Sequence, residues 1–505
     1  MPKEIELKLS LSSAQARRLA AQPVLETVKP QRFRLFNTYY DTSDLDLFRR
    51  GIALRLRRKG STEWLMTVKG GDPAAGALAQ RSEWEAPTQP GVFNFDMVTD
   101  EGLRDFLKSH QTNLRPVFST DFTRTAWTLD HSGAIIELAL DRGRIDAVSL
   151  KDGVTQASEP ICEVELELVE GNSPDALFEI AIELATDLHL HPAIASKAER
   201  GYALANHSVT SPSKSLPSSI VRDISPEEAF RSLALSCLLQ LQRNERGAID
   251  GLDPEYVHQA RVAIRRLRSC FRVFAPVLSP AFVGIYGPRW GDLARQLGGA
   301  RDWDVFLVET LAPLEEAFPG DADLARLREK SLAIQTAAQA SASVALTRKD
   351  YSQLLLAFSA ALFRVEPPTI GSKDSDGKSL RKFAVRRLQK RAETVKKLAH
   401  KPSGLDDGQR HRLRIAFKKL RYALEFFAPL LPHKRLKRYQ KGLAAIQDLL
   451  GQLNDQVTAE RLIRELHAEG EPAPLTNGWI AGRKHLLTQA LNTELATFLS
   501  LRKPW

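Results

Sequence analysis

Several stretches of this chain place charged residues on alternate positions. Glu4, Glu6 and Lys8 do so in "EIELKL", Arg55 and Arg57 in "IALRLRR", and Arg81, Glu83 and Glu85 in "RSEWEA". Glu137 and Asp141 repeat the pattern in "AIIELALDRGRI", as do Glu163, Glu165 and Glu167 in "ICEVELELVEG"; Lys69 ends "TEWLMTVKG" and Arg124 starts "TRTAWTL". Side chains alternate faces along a strand, so each segment has one charged and one apolar face. A solvated outer face is the ordinary reading of any one of them. Their recurrence favours a second reading, in which the sheet closes into a barrel and the charges line its interior. Carboxylates there offer oxygen ligands to Mg²⁺ or Mn²⁺, while Arg and Lys hold phosphates.

A different charge pattern occupies the second half. His258, Arg261, Arg265 and Arg268 fall at i, i+3, i+7 and i+10, one stripe of a helix whose apolar stripe is Ile264, Leu267, Phe271 and Phe274. His411, Arg414, Lys418 and Arg421 repeat that stripe. No Asp or Glu occurs between Tyr256 and Gly291, so neighbouring carboxylates do not neutralise the first stripe. Without acidic or Cys neighbours the two histidines suit phosphate better than a metal. A polyanion is the implied partner. Nucleic acid is disfavoured because no aromatic residues interleave with the basic ones to stack bases.

The elements that must carry these residues change character along the chain. Up to about residue 205 the periodicity is that of strands, with helices expected near Ser12–Gln22 and Ser173–Leu188. Asn206–Arg222, rich in Ser and Pro, reads as a linker, and 223–505 is helical. A further break at Glu366–Ser379 divides the helical part into halves of about 223–365 and 380–505. "VHQARVAIRRLRSCFRVFAPVL" from Val257 matches "RHRLRIAFKKLRYALEFFAPLL" from Arg410, and "LGGARDWD" matches "LGQLNDQV" at the same offset of 153 residues. A constant offset across separated blocks indicates a tandem duplication. It makes Asp302 and Asp455 equivalent, as acids able to orient nearby basic side chains.

Composition sets the wider frame. At 505 residues the chain exceeds a single core. Residues 1–205 hold 24 Lys+Arg against 30 Asp+Glu, whereas the remainder holds 47 against 31. The three cysteines, Cys162, Cys237 and Cys270, form no metal or disulfide pattern. The charged N-terminus does not read as a signal peptide, and the longest apolar run, near Leu354–Phe363, is short for a membrane span. These features lead to the expectation of a soluble, cytoplasmic protein without a membrane partner.

The same residues carry a family resemblance. "EIELKL" resembles the ExExK signature of the CYTH superfamily of triphosphate tunnel metalloenzymes. "YYDT" at Tyr39–Thr42, "LRLRR" at Leu54–Arg58, "CEVELEL" at Cys162–Leu168 and "SKAERGYAL" at Ser196–Leu204 resemble further family blocks in order. The resemblance implies an α+β chain whose first 205 residues form an eight-stranded antiparallel tunnel with flanking helices, binding a triphosphate and a divalent metal, Mg²⁺ or Mn²⁺. It assigns metal binding to Glu4, Glu6, Asp141, Glu163 and Glu165, and phosphate binding to Lys8, Arg55, Arg57, Lys69, Arg124 and Lys197. Arg81, as a further phosphate ligand, and Glu83, Glu85 and Glu137, as tunnel residues, rest on strand parity alone. The two H-x2-R-x3-[RK]-[RK]-L-R segments resemble the CHAD domain, which implies two pseudo-symmetric four-helix bundles binding inorganic polyphosphate through His258, Arg261, Arg265, Arg268, His411, Arg414, Lys418 and Arg421.

The implied activity is metal-dependent hydrolysis of inorganic triphosphate. Thiamine triphosphate hydrolysis, adenylate cyclase activity and a non-catalytic polyphosphate scaffold are the alternatives.

Overall fold

The computed structural model describes residues 3–70, 78–148, 155–171, 173–206, 211–364, 379–399, 405–466 and 474–505. Most of the expected break at Glu366–Ser379, and residues 207–210 of the linker, lie outside them. Residues 211–221 have no regular structure.

Among the described residues nine strands form the first part: β1 (Lys3–Ser10), β2 (Gln31–Asp41), β3 (Ile52–Lys59), β4 (Glu63–Gly70), β5 (Leu78–Pro87), β6 (Arg115–His131), β7 (Ala134–Val148), β8 (Thr155–Glu170) and β9 (His191–Pro192). Their order is β5-β4-β3-β2-β6-β7-β8-β1-β9, and β5 also pairs with β1, so β1 to β8 close into an antiparallel barrel. The short β9 adds to the end of β1 at Leu9 and Ser10. The pleat turns Leu7 and Leu9 outward, where both are fully buried in a core with Leu19, Leu177, Ile180 and Leu184. Glu4, Glu6 and Lys8 therefore face inward.

Two strand readings need correction. β6 begins at Arg115, so Arg124 lies in mid-strand rather than at its start. β2 was not recognised: Leu35 and Tyr39 point into the barrel while arginines and Phe36 alternate outside, leaving no clean apolar face. Among the described residues up to 206, helices α1 (Ser13–Leu19), α2 (Pro23–Glu26), α3 (Asp46–Arg49), α4 (Glu101–His110), α5 (Asp175–Asp187) and α6 (Lys197–Ala205) flank the barrel. The periodicity marks only α1 and α5; α2 and α3 span four residues each, too short to establish a period.

The second part contains α7 (Pro226–Ile249), α8 (Pro254–Phe274), α9 (Pro280–Gln296), α10 (Gly298–Val305), α11 (Ala312–Ala317), α12 (Ala322–Thr347), α13 (Lys349–Phe363), α14 (Leu380–Leu398), α15 (Asp407–Phe426), α16 (His433–Leu466) and α17 (Pro474–Leu499). The duplication holds element by element. Shifted by 153, Pro254 becomes Asp407, the start of α15; the 3₁₀ turn Ala275–Val277 becomes Ala428–Leu430; and Pro280 becomes His433, the start of α16. The same shift brings α7 and α12 within one residue of the starts of α14 and α17. Helices α9 to α11 correspond to the single α16. Helix α9 runs through Pro288, and the first copy breaks at Leu297 and passes through a π-helical turn at Phe306–Leu311 before Pro313, whereas α16 is one helix without proline.

By contact the chain divides into one unit of Met1–Ser211 with Thr347–Val365 and another of Pro212–Leu346 with Glu366–Trp505. Thus α13, which follows the first helical copy in sequence, packs with the barrel. Leu356 and Ala360 enter the β1–α5 core, and Phe363 stacks on Phe178 at 5.7 Å. Gln353 donates to the Ala185 carbonyl at 3.0 Å and Lys349 to that of Thr186 at 2.7 Å. Ser352 Oγ lies 3.1 Å from His189 Nε2 and 2.9 Å from His191 Nδ1.

Candidate active site

The barrel encloses a cavity of about 320 Å³. Lys8, Arg55, Arg57, Lys59, Lys69, Arg81, Arg124 and Lys197 line it, with Glu4, Glu6, Glu83, Glu85, Glu137 and Glu165. Strand parity accounts for all of these except Lys197, which enters from α6. Near one wall, Lys69 donates to Glu4 at 2.7 Å and lies 3.1 Å from Glu83. Lys8 sits 3.0 Å from Glu165 and 3.4 Å from Glu6. Arg55 reaches Glu83 at 3.8 Å, and Thr67 donates to Glu85 at 2.7 Å.

Asp141 and Glu163 are absent from the cavity lining. They stand with Glu165 around the ammonium of Lys197, at 2.7, 2.5 and 2.9 Å respectively. Arg124 adds a bidentate bond to Asp141, both distances being 2.8 Å. Burial alone would raise the Asp141 and Glu165 carboxyls; Arg124 and Lys197 outweigh it and hold both below the usual carboxylate range. Lys8 is likewise raised, against its burial, by Glu6, Glu165 and Glu163.

Local sequence explains how Lys197 is presented. Ser196 caps α6 in a reciprocal capping box with Glu199, fixing the helix start one residue before the lysine. At Gly201 a Cβ would come within 2.1 Å of the Phe118 ring, so glycine permits the close approach of helix and barrel. Tyr202 then donates to Asp41 at 2.9 Å. Asp41 is fully buried and also accepts from the backbone of Thr42, Leu47 and Phe48, which ties α6 to the turn after β2.

Several wall residues were not singled out from sequence. Phe33, Leu35, Leu65 and Phe122 give part of the cavity an apolar surface. Arg200 donates to Glu159 and Glu163 at 3.0 and 2.9 Å. Glu167 was visible on the charged face of β8 but was not assigned a role. It lines the cavity, and burial and the nearby Glu4 and Glu83 push its carboxyl up to about 7.

These acids test where a divalent cation fits. Asp141, Glu163 and Glu165 can bring oxygens within 4.8 Å of one another, but Lys197 and Arg124 already neutralise them. Glu4, Glu6 and Glu167 crowd like charges on the open wall, and β1 pairs Glu6 directly with Glu167. Lys69 on Glu4 and Lys8 on Glu6 offset the three charges only in part, and carboxylate oxygens grouped in this way suit a hard cation. For the anion, Arg55 Nε and Arg81 Nε are buried donors without an acceptor. Arg57 is pushed down to about 10 by burial and by Arg55 and Arg124. Both features leave room for phosphoryl oxygens.

In the helical unit the two basic stripes meet. Arg265 on α8 donates to the Tyr422 hydroxyl on α15 at 2.6 Å. Lys418 is pushed down to about 6 by burial, Arg414 and Arg265, and His258 to about 4 by burial and Arg301. Arg261 donates to the Gly298 carbonyl at 2.6 Å and approaches Asp302 at 3.8 Å, while Arg414 donates to Asn454 at 3.0 Å. His411 lies 3.3 Å from the same Asn454 oxygen, Arg421 pairs with Glu425, and Arg268 folds beside Gly291. Among the described residues no helix is long and apolar enough to cross a membrane.

Comparison with known proteins follows the same division. Residues 2–202 match the CYTH domain and residues 232–464 the CHAD domain. An inorganic triphosphatase of Haemophilus influenzae is 33% identical over 210 residues, 41% of this chain and 56% of that protein. The chain thus spans about half the length of that relative. The CHAD domain structure from the plant Ricinus communis is 32% identical, covering 58% of this chain and 99% of that one, with a TM-score of 0.48. A putative adenylyl cyclase from Hippeastrum, described as having a dominant triphosphatase activity, is 17% identical, covers 40% and 95%, and has a TM-score of 0.30.

Proposed function

Because the chain carries a CYTH domain followed by a CHAD domain, we propose that its barrel hydrolyses inorganic triphosphate with a divalent metal, and that its helical unit binds inorganic polyphosphate. The observation that carries the first reading is the barrel cavity lined by eight basic side chains beside the crowded carboxylates Glu4, Glu6 and Glu167. The triphosphatase from Haemophilus influenzae supports the choice of substrate.

A triphosphate repels a nucleophilic water until its charge is compensated. Arg55, Arg57, Arg81 and Lys69 hold phosphoryl oxygens along one side, with Lys8, Arg124 and Lys197 on the other. Glu4, Glu6 and Glu167, with Glu165 beside them, would hold Mg²⁺ or Mn²⁺. When bound, the metal polarises a phosphoryl oxygen and lowers the pKa of a water. Asp141 and Glu163 hold Lys197 in place and keep it charged.

Product analysis after incubation with triphosphate, thiamine triphosphate and ATP, each with Mg²⁺ or Mn²⁺, tests this reading. Orthophosphate released chiefly from triphosphate is expected; no orthophosphate and no cyclic AMP from any of them would make the barrel a binding scaffold. Full metal-dependent release by a Glu4→Ala, Glu6→Ala variant would remove those residues from the metal site. An organic triphosphate is the second reading, favoured by Phe33, Leu35, Leu65 and Phe122 on the wall.

For the helical unit, the convergence of two carboxylate-poor stripes at Arg265, Arg414 and Lys418 carries the polyphosphate reading. Labelled polyphosphate should be displaced from the full chain by unlabelled polyphosphate at lower concentration than by single-stranded RNA. The reverse order would assign the stripes to nucleic acid.

A further inference from the structure

A second cationic cluster lies outside the assigned stripes. Arg272 follows Arg268 by one helical turn at the end of α8, and the side chains of Arg387 and Arg391 on α14 both donate to its carbonyl, at 3.0 and 3.2 Å. Lys419 on α15 completes the group, close enough for Arg272 and Arg391 to lower its pKa. Arg391 is pushed down to about 10 by burial and Arg387. The Nε atoms of Arg387 and Arg391 are buried without an acceptor. No carboxylate among the described residues pairs with any of the four.

The duplication supplies an internal control. Subtracting or adding 153 converts Arg387, Arg391, Lys419 and Arg272 into Ala234, Leu238, Arg266 and Glu425. In that copy Ala234 and Leu238 are fully buried, and Arg266 donates to Gln240 and lies within the field of Glu425. The same place in the fold therefore holds two apolar side chains, one cation and one carboxylate in the other copy, so the helical framework does not demand four cations there. A cation cluster with unfilled donors is matched by an anion with several oxygens.

We propose that Arg272, Arg387, Arg391 and Lys419 form a second phosphoryl-oxyanion site, on one side of the duplicated unit only, onto which a linear polyphosphate extends from the stripe by way of Arg268. This rests on the polyphosphate reading of the stripe for its ligand but on separate residues. It predicts a polyanion track that is asymmetric although its framework is duplicated.

The test uses the full chain and long-chain inorganic polyphosphate, titrated over a range of salt. Arg387→Gln with Arg391→Gln keeps hydrogen-bond donors and removes charge. The expected result is binding weakened on the order of tenfold, with the log–log salt slope shallower by about one to two. The unfolding midpoint without polyphosphate should stay level or rise as repulsion is relieved. Unchanged affinity and slope would overturn the proposal, as would weakening confined to single-stranded RNA.

If the pair lowers the midpoint, the second variant is Arg272→Glu, Arg387→Ala, Arg391→Leu, Lys419→Arg, which installs the other copy's residues; unweakened binding there also overturns it. A parallel Arg265→Gln, Lys418→Gln variant separates the two readings. Loss of binding in that variant alone refutes the second site and keeps the stripe. Loss in the cluster variants alone supports the second site and refutes the stripe.

Discussion

Lys418 shows how a single residue reports the state of the helical unit. An unperturbed lysine titrates near 10.4, whereas burial, Arg414 and Arg265 bring this one down to about 6. Between those values the unfolded chain binds one proton more than the folded chain, so the group contributes stability that grows as pH rises from about 6. A polyanion reverses the preference by favouring the charged amine. Binding should therefore take up a proton above pH 6, tighten as pH falls, and show both effects weakened in Lys418→Met, with His258 of the same stripe supplying the remainder. Calorimetry in buffers of different ionisation heat measures the uptake, and zero uptake by the wild-type chain would contradict it. Tyr202→Phe should destabilise the barrel by about 1–3 kcal/mol in urea titration, because buried Asp41 loses one of its four donors. At this scale the sequence was readable where period two governed: spacing put Glu4, Glu6 and Lys8 on one face, and the recurrence of that pattern in further strands pointed the face inward. Glu167 had the same parity, but its crowding against Glu4 and Glu83 comes from cross-strand register that spacing does not contain. Lys197 was reached through resemblance, since it sits at a helix start.

Among the elements, α6 and α13 depend on fits that composition does not announce. Gly201→Ala would drive a methyl into Phe118 and should cost about 1–3 kcal/mol. Because the displaced helix carries Lys197, triphosphate hydrolysis should fall with stability, whereas an unchanged rate would show that α6 positioning does not matter. Leu356→Ala should destabilise by about 2–5 kcal/mol, and hydrogen exchange should place the lost protection in β1 and α5. Loss in α12 and α14 instead would show that α13 belongs energetically with the helices. The long helical stripes were legible from their 3.6-residue period, and the duplication from one repeated offset. Helices α2 and α3 are single turns, too short to show a period, and β2 mixes polar and apolar residues on its outer face. The assignment of α13 could not be read because its Leu, Ala and Phe residues suit a bundle as well as the side of a barrel.

For the molecule as a whole, charge distribution separates two kinds of anion binding. The first 205 residues carry more acids than bases, yet their barrel cavity gathers eight basic side chains. The helical remainder is strongly basic in total. Raising salt from about 50 to about 200 mM should weaken polyphosphate binding by on the order of a thousandfold if six or more contacts form. Enclosed charges are screened less, so KM for triphosphate should move by only about severalfold over the same range. Parallel losses in both would show that the two activities share one exposed surface. The linear order of domains was legible from the composition break and charge asymmetry, but compact units need not be continuous in sequence. The inclusion of α13 in the barrel unit has a consequence for biosynthesis. A ribosome completes every strand of the barrel long before it reaches residue 349, and the first helical copy must emerge before α13 can cover α5. Until then the nascent barrel exposes an apolar face, and its final folding step waits on the synthesis of another domain.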